Sequence, residues 1–456
     1  MALGFTKPDC LRRSTYNTRH FQVINWSIHL LHLAMTLFKS LTVRPFALLW
    51  SGQQLSALGD SIYRVALAWW ILEKTGSAKA MGTVFIFTST PMLVFLLVGG
   101  VAVDRHSRAR VMFLSDILRG LLVGIVALLA FAHRLEIWNI YIVSLLFGIV
   151  GAFFGPAYRA ILPEIVPREL LPSANGLTTL SDQLAEIAGP ALGALIVSTS
   201  GAPTAFTLDS LSFVISALCL APLVRLALAG HVSKERKSVL HDFREGVEVV
   251  RNSSWLSITI VIASLGNITL SAPFAIALPF LVKGHLHGGV GSLGLLYSLL
   301  AAGTIVGTIL GTVWLERTSG LRARGLFAYG LWIAGGLLIA VFGLPVTIYA
   351  VAPAAFLIGV AFGVPNLIFI NTLQELIPGK VLGRVMSIAT LGSMALVPVG
   401  SGFVGWATDH VGAPTIFILS GILTALLATL ALLHPVIRNL DRAASTDYTD
   451  SFVQSA

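Results

Sequence analysis

Twelve stretches of this chain stay apolar for about 20 residues or more with almost no charge, the length that crosses the hydrocarbon core of a bilayer as an α-helix. They run approximately 46–72, 80–103, 111–131, 138–158, 174–198 and 204–224, then 255–282, 292–314, 325–343, 346–371, 384–407 and 413–434. A water-soluble fold has no place for so many uniformly apolar helices, because it needs polar side chains for its outer surface. Only 11% of the 456 residues are charged, against roughly 25% in an ordinary soluble domain. A soluble enzyme is therefore excluded, and the sequence predicts an all-α membrane protein of twelve transmembrane helices.

Polar residues are concentrated in one internal stretch, 225–253, which divides the spans six and six. This predicts an N-terminal extension over 1–44, a six-helix bundle over 45–224, a linker over 225–253, a second bundle over 254–435 and a tail over 436–456. The halves resemble one another. Gly201-Ala202-Pro203-Thr204-Ala205-Phe206 returns 211 positions later as Gly412-Ala413-Pro414-Thr415-Ile416-Phe417, and Leu162-Pro163-Glu164-Ile165-Val166-Pro167 returns as Leu373-Gln374-Glu375-Leu376-Ile377-Pro378. Asp104-Arg105 is matched near the same offset by Glu316-Arg317. A duplicated six-helix unit with its binding site at the midplane interface is a known transporter architecture.

Orientation follows from basic residues, which cytoplasmic loops retain. Loops after even-numbered spans, the linker included, carry sixteen Lys and Arg, whereas those after odd-numbered spans carry only Lys74, Lys79, Arg134 and Lys283. The bias predicts a plasma-membrane protein with both termini in the cytoplasm. It also accounts for the net charge of +9 without a nucleic-acid partner.

Residues 1–34 are basic and weakly periodic. They are expected to be an interfacial helix, a signal peptide or an in-frame extension ahead of a start at Met35. Cys10 and Cys219 suggest neither a disulfide framework nor a metal site. Phosphate-loop, zinc-protease and nucleophile-elbow motifs are missing from the sequence, so no cofactor, metal or ATP is expected, and the chain is expected not to be an enzyme.

The segment Gly100-Val101-Ala102-Val103-Asp104-Arg105-His106-Ser107-Arg108-Ala109-Arg110 is similar to the G-x-x-x-D-R-x-G-R-[KR] signature of the major facilitator superfamily. Ser107 replaces the inner glycine, and Arg110 supplies the second basic charge one position late. The resemblance implies a cytoplasmic latch between the two halves, made of charge-assisted contacts by Gly100, Asp104, Arg105, Arg108 and Arg110, with Glu316 and Arg317 as the repeat counterpart. A loop made basic by topology alone explains the arginines but not Asp104. Gly189-Pro190-Ala191-Leu192-Gly193 is similar to the fifth-helix motif of proton-antiporting exporters, with Ala185 and Ala194 in place of two glycines; the alternative is an ordinary Gly/Pro kink. Leu162-Pro163-Glu164-Ile165-Val166-Pro167 followed by Leu171-Pro172-Ser173-Ala174-Asn175-Gly176, and Gly383-Arg384-Val385-Met386-Ser387, together with Gly59-Asp60 and Asp242-Phe243-Arg244-Glu245-Gly246, resemble the branch containing macrolide-efflux proteins and the enterobactin exporter.

Polar groups inside the spans are the candidate site, since each is costly in lipid unless paired or wetted. Gln53, Gln54, Asp60 and Arg64 fall in the first span, with Arg64 one turn after Asp60 on one face. Asp60 is either a protonatable coupling carboxylate or half of a structural pair with Arg64. Asp182 and Glu186 share a face of the fifth span and suit proton coupling or attraction of a cation, unless both are simply wet at the membrane surface. Asp209 reads as a helix-end residue, with a coupling site as the alternative. Asn267, Asn366 and Asn371 are expected to line a cavity or to join helices. Trp69, Trp70, Trp138, Trp255 and Trp406 read as an interfacial belt, and 240–251 as an amphipathic surface helix. The expected activity is proton-coupled efflux, by a monomer, of a small amphipathic molecule. Export of a siderophore or metabolite, import, and a non-transporting receptor or scaffold remain open.

Overall fold

The computed structural model describes residues 38–227, 239–317 and 324–438; the side chains of 97–105, 226–227, 239–243, 245, 315–317 and 379–380 fall outside the description. The three readings of residues 1–34 thus lie outside the described residues.

Ten stretches among the described residues are long and apolar enough to cross a membrane. The stretch over 168–225 is two helices, because Gly201 breaks it with φ 79°. The first helix, diluted by Gln53, Gln54, Asp60 and Arg64, brings the number of spans to twelve. They are α1 (Arg44–Thr75), α2 (Ala78–Arg105), α3 (Arg108–Phe131), α4 (Ile137–Ile165), α5 and α6 on either side of Gly201 within Leu171–Ala227, and α7 (Ser254–Gly284). Then follow α8 (Val290–Arg317), α9 (Arg324–Val341), α10 (Ile348–Leu376), α11, interrupted between Gly379–Met394 and Val397–Val411, and α12 (Ala413–Leu433).

The repeated Gly-Ala-Pro-Thr segments make the same turn. Gly201 and Gly412 both take positive φ, 79° and 83°, and the Pro two positions later enters the first turn of the next helix, where its missing N–H costs nothing. Helix pairing is also duplicated, with α2 against α4 as α8 is against α10, and α3 against α6 as α9 is against α12. Between α8 and α10 the backbones approach through glycines, a device suited to lipid, where close packing replaces the hydrophobic drive. A Cβ on Gly307 would lie 2.6 Å from the Val360 carbonyl oxygen, and one on Gly359 would collide with the Leu300 carbonyl and stand 2.6 Å from the Thr304 amide. Because backbone cannot swing aside, Gly359→Leu is expected to cost more than the roughly 1–3 kcal/mol of ordinary overpacking, and size-exclusion profiles of solubilised protein should lose the monodisperse peak.

For reference, the linker end is where 228–253 connects the two sets of six helices, and the far end carries the turns at Gly76, His133, Gly201, His285 and Gly412. The two sets meet in the far half along α2 with α11 and along α5 with α8. A Cβ on Gly82 would lie 2.5 Å from the Ser401 carbonyl oxygen, and the Ser298 hydroxyl donates to the Ile187 carbonyl at 2.6 Å.

The predicted linker helix exists as Val239–Asn252, but it is not simply laid on a membrane surface. Its Gly246 faces Ile388 and Arg384 of α11 and its Val249 is buried, so its apolar side packs on the protein. Two of the tryptophans read as a belt, Trp69 and Trp255, are likewise buried in the core, whereas Trp138 and Trp406 are exposed.

Candidate functional site

Helix α1 carries polar side chains on several sides, and each side meets a different neighbour. Successive residues are set about 100° apart on a helix, so Gln53 and Gln54 diverge. Gln53 is buried and donates through Nε2 to Asp116 Oδ2 at 3.2 Å and to Ser216 Oγ at 2.8 Å. It therefore belongs to the packing of α1 against α3 and α6, not to a cavity. Gln54 turns to α5 and donates to Asp182 Oδ1 at 3.0 Å.

Arg64 does not pair with Asp60, its neighbour one turn back. Its guanidinium reaches across to α5 and meets Glu186 at 2.6 Å, with both side chains more than half exposed, and donates a second bond to Ser61 at 3.1 Å. The structural pair of Asp60 with Arg64 is thus replaced by an exposed bridge between helices, a class of contact that forms and breaks at low cost. Asp60 is half-buried in the middle of α1, and among the described residues its carboxylate has neither a hydrogen bond nor an ion pair. The charges acting on it are Arg119, Arg64, Asp116, Glu186 and Asp209.

Asp209 corrects its reading as a helix-end residue. It is fully buried on α6, and a Cβ on Gly59 would lie 2.7 Å from its Oδ1, so Gly59 makes room for it beside Asp60. Its Oδ1 receives a long bond of 3.4 Å from Ser212, while Oδ2 has no donor.

A second buried set escaped the sequence reading. Arg119 donates to Asp116 Oδ1 at 2.9 Å within α3, and Asp116 Oδ2 accepts from Ser216 at 2.7 Å as well as from Gln53. The Arg119 guanidinium lies over the rings of Phe154 and Phe213 at 3.9 and 4.9 Å. The signal was present as a carboxylate and a guanidinium three residues apart inside an apolar run, the spacing of neighbours on a helix.

Helix α5 approaches α1 through its glycines. A Cβ on Gly189 would collide with Ser61, and one on Gly193 would stand 3.1 Å from Ile62 Cα; the Pro190 carbonyl faces Gly294 of α8. In the second half, Asn267 donates to the Ser393 carbonyl of α11 at 2.8 Å and accepts from Ser271 at 3.0 Å, while Asn366 is exposed and Asn371 half-buried on α10.

At the linker end, Arg108 pairs with Glu164 and donates to the Ala160 carbonyl at 2.9 Å, clasping the start of α3 to the end of α4. Arg324 pairs with Glu375 at 2.5 Å between α9 and α10. The repeated glutamates at 164 and 375 thus mark a duplicated clasp. Arg110 is exposed, and the side chains of Gly100, Asp104, Arg105, Glu316 and Arg317 fall outside the described residues.

At the far end a single carboxylate ties the two sets together. Asp409 of α11 accepts from the Ser77 hydroxyl at 2.6 Å, the Ala78 amide at 2.6 Å and the Lys79 amide at 3.1 Å, so a carboxylate caps the positive end of α2. Asp409→Asn removes the charge and is expected to weaken this contact by about 1–2 kcal/mol, a roughly 5- to 30-fold change in its equilibrium. Maleimide labelling of a cysteine placed at Ile86, which packs on Gly402, is expected to accelerate accordingly when the reagent is applied from the far-end side.

The sequence compares closely with known transporters. It is 26% identical to macrolide efflux protein A of Streptococcus pyogenes over 87% of this chain and 97% of that protein, and 28% identical to the multidrug efflux pump Tap of Mycobacterium tuberculosis over 86% and 94%. In fold it is similar to a bacterial homologue of the iron transporter ferroportin, with TM-score 0.66 and 16% identity over 85% of this chain and 98% of that one. A POT family transporter superimposes with TM-score 0.68 at 12% identity over 88% and 97%. The sequence model of the transmembrane secretion effector family matches residues 35–455. With twelve helices of major facilitator type and a family match over nearly its whole length, the chain belongs to the transmembrane secretion effectors of the major facilitator superfamily, membrane transporters and not enzymes.

Proposed function

We propose that this transporter exports small amphipathic molecules in exchange for protons, by alternating access, as a monomer in the cell membrane with its linker end and both termini in the cytoplasm. The observation that carries the reading is Asp60, a carboxylate inside a spanning helix with no partner of its own, set between Asp209 and the exposed bridge of Arg64 to Glu186. Such groups in a membrane mark ion and substrate paths. The printed names of the relatives, a macrolide efflux protein and a multidrug efflux pump, favour export of drug-like compounds.

In this reading Asp60 takes the proton, Glu186 exchanges Arg64 for a cationic group of the substrate or for a second proton, and Asp182 acts beside it. The two bundles, 45–224 and 254–435, rock about the linker 225–253. The far-end cap by Asp409 opens as the linker end closes, and closure there uses Gly100, Asp104, Arg105, Arg108 and Arg110 with Glu316 and Arg317. Gly189, Pro190 and Gly193 let α5 move against α1 at close range.

The test is efflux of ethidium from energised vesicles. Efflux that collapses on addition of a protonophore supports the reading, and efflux indifferent to it overturns the coupling. Inverted vesicles settle direction, since an exporter accumulates the dye and an importer does not; no transport either way leaves a receptor or scaffold.

A further inference from the structure

A cavity in the second half lies away from the charged residues of α1 and α5. It encloses about 450 Å³, and every residue of its wall belongs to α7, α9, α10, α11 or α12, or to Ile437 just beyond α12. None of those residues is charged. One side is aromatic, with Tyr329 edge-on to Trp332 at 5.2 Å and Trp332 tilted against Phe362 at 6.3 Å. Gly335 keeps that side open, since a Cβ there would lie 2.8 Å from the Phe362 ring. Its polar groups are the amides of Asn267 and Asn366, the Trp332 indole N–H, buried without a partner among the described residues, and hydroxyls such as those of Thr259, Thr390 and Ser393, which bond within their own helices.

Two walls are interrupted helices. Helix α7 widens into π turns over Asn267–Ser271 and Pro273–Ala277, and α11 breaks between Met394 and Val397. The Asn267 bond to the Ser393 carbonyl joins the two interruptions across the cavity wall. A π turn costs backbone bonding and is found mostly where a helix serves a ligand or a movement. A volume of this size, an apolar wall and a few convergent polar groups are the usual properties of a small-molecule site.

We infer that this cavity, held by the carboxy-terminal bundle alone, is a binding pocket for an uncharged aromatic molecule, or for the uncharged aromatic part of a larger one. A cation buried there would meet no carboxylate, and ring faces with neutral dipoles repay only part of its lost hydration. A neutral ring gains the aromatic wall, and one polar substituent gains Asn366. The inference rests on the export reading for its purpose, and it divides the work of the protein: charges on α1 and α5 handle protons and cationic groups, and the second bundle holds uncharged aromatic cargo.

The test is equilibrium binding of N-phenyl-1-naphthylamine, an uncharged fluorescent amine, to the purified full chain in lipid nanodiscs, with empty nanodiscs as baseline. Saturable binding is expected. Ala389→Trp, which fills the cavity, should weaken it at least tenfold, and Asn366→Leu, which removes one hydrogen bond without filling space, should weaken it about three- to tenfold. Asn366→Leu decides the matter if Ala389→Trp does not fold. Ethidium binding should change less than twofold in both variants. No saturable binding of the naphthylamine, binding unchanged in a folded variant, or ethidium binding lost in parallel would each overturn the pocket. Export is measured separately in proteoliposomes, so that binding without protonophore-sensitive transport would sink the export reading and leave the pocket standing.

Discussion

Asp60→Asn is expected to reduce proton-driven export to background while leaving exchange of substrate across the membrane intact. Asn matches Asp in size and keeps a hydrogen-bonding head, so the packing of α1 need not change, but it cannot take up and release a proton. Three of the other carboxylates are less suited to the same duty. Glu186 is held by Arg64 at 2.6 Å, Asp182 accepts from Gln54 at 3.0 Å, and Asp116 is held by Arg119, Gln53 and Ser216. Asp60 faces these charges without a bond to any of them, so its charge state is free to follow the conformation of its surroundings. The measurement is uptake into inverted proteoliposomes under an imposed pH gradient, run beside counterflow, in which substrate exchanges for substrate with no net proton movement. Loss of the first with retention of the second is the expected result. Wild-type gradient-driven uptake in Asp60→Asn would refute the coupling role, and loss of both would assign Asp60 to substrate binding instead.

The second large effect concerns stability. Asp116→Ala should destabilise the protein by about 3–5 kcal/mol, because it strands the Arg119 guanidinium between two phenyl rings with no counter-charge. Asp116, Arg119, Gln53, Ser216 and the two rings come from α1, α3, α4 and α6, so one deletion loosens four helices. Removing both charges together, as Asp116→Leu with Arg119→Met, should recover most of the loss, since a buried pair contributes little net stability over apolar side chains of similar size. Thermal unfolding of solubilised protein, followed by the shift of the midpoint, checks both. A single variant as stable as wild type would mean that water reaches the pair.

Most of the fold was legible because lipid makes the requirement crude and repetitive: about 20 apolar residues per span, over and over. The duplicated Gly-Ala-Pro-Thr turns were legible for a local reason, as positive φ at Gly201 and Gly412 is a property of one residue. The site was less legible, because partners on other helices are set by crossing geometry and not by spacing along the chain. Spacing put Arg64 beside Asp60, yet its long side chain reaches Glu186 on α5. Spacing put Asp209 near a helix end, yet Gly59 opens a place for it in the core. Gln53 and Gln54 are indistinguishable as sequence and opposite as structure, because one faces α3 and α6 and the other α5. The glutamates at 164 and 375 stand out in the sequence as a repeat, but their role as clasps depends on Arg108 and Arg324, which the fold sets opposite them.

Helix α1 has a further consequence for how the protein is made. It leaves the ribosome before the other eleven spans and is the least apolar of the twelve. A lone charge at the centre of a spanning helix costs about 2.5–3.5 kcal/mol at insertion, and α1 brings Asp60 and Arg64 together with two glutamines. The partners of Arg64 and the two glutamines lie on α3, α5 and α6, more than 60 residues downstream. α1 must therefore wait, held at the edge of the insertion machinery, until those helices arrive, and the N-terminal bundle enters the membrane as a cooperative unit. Variants that weaken the contacts of α1 with α5 and α6 should be cleared during synthesis, before any transport defect can be measured.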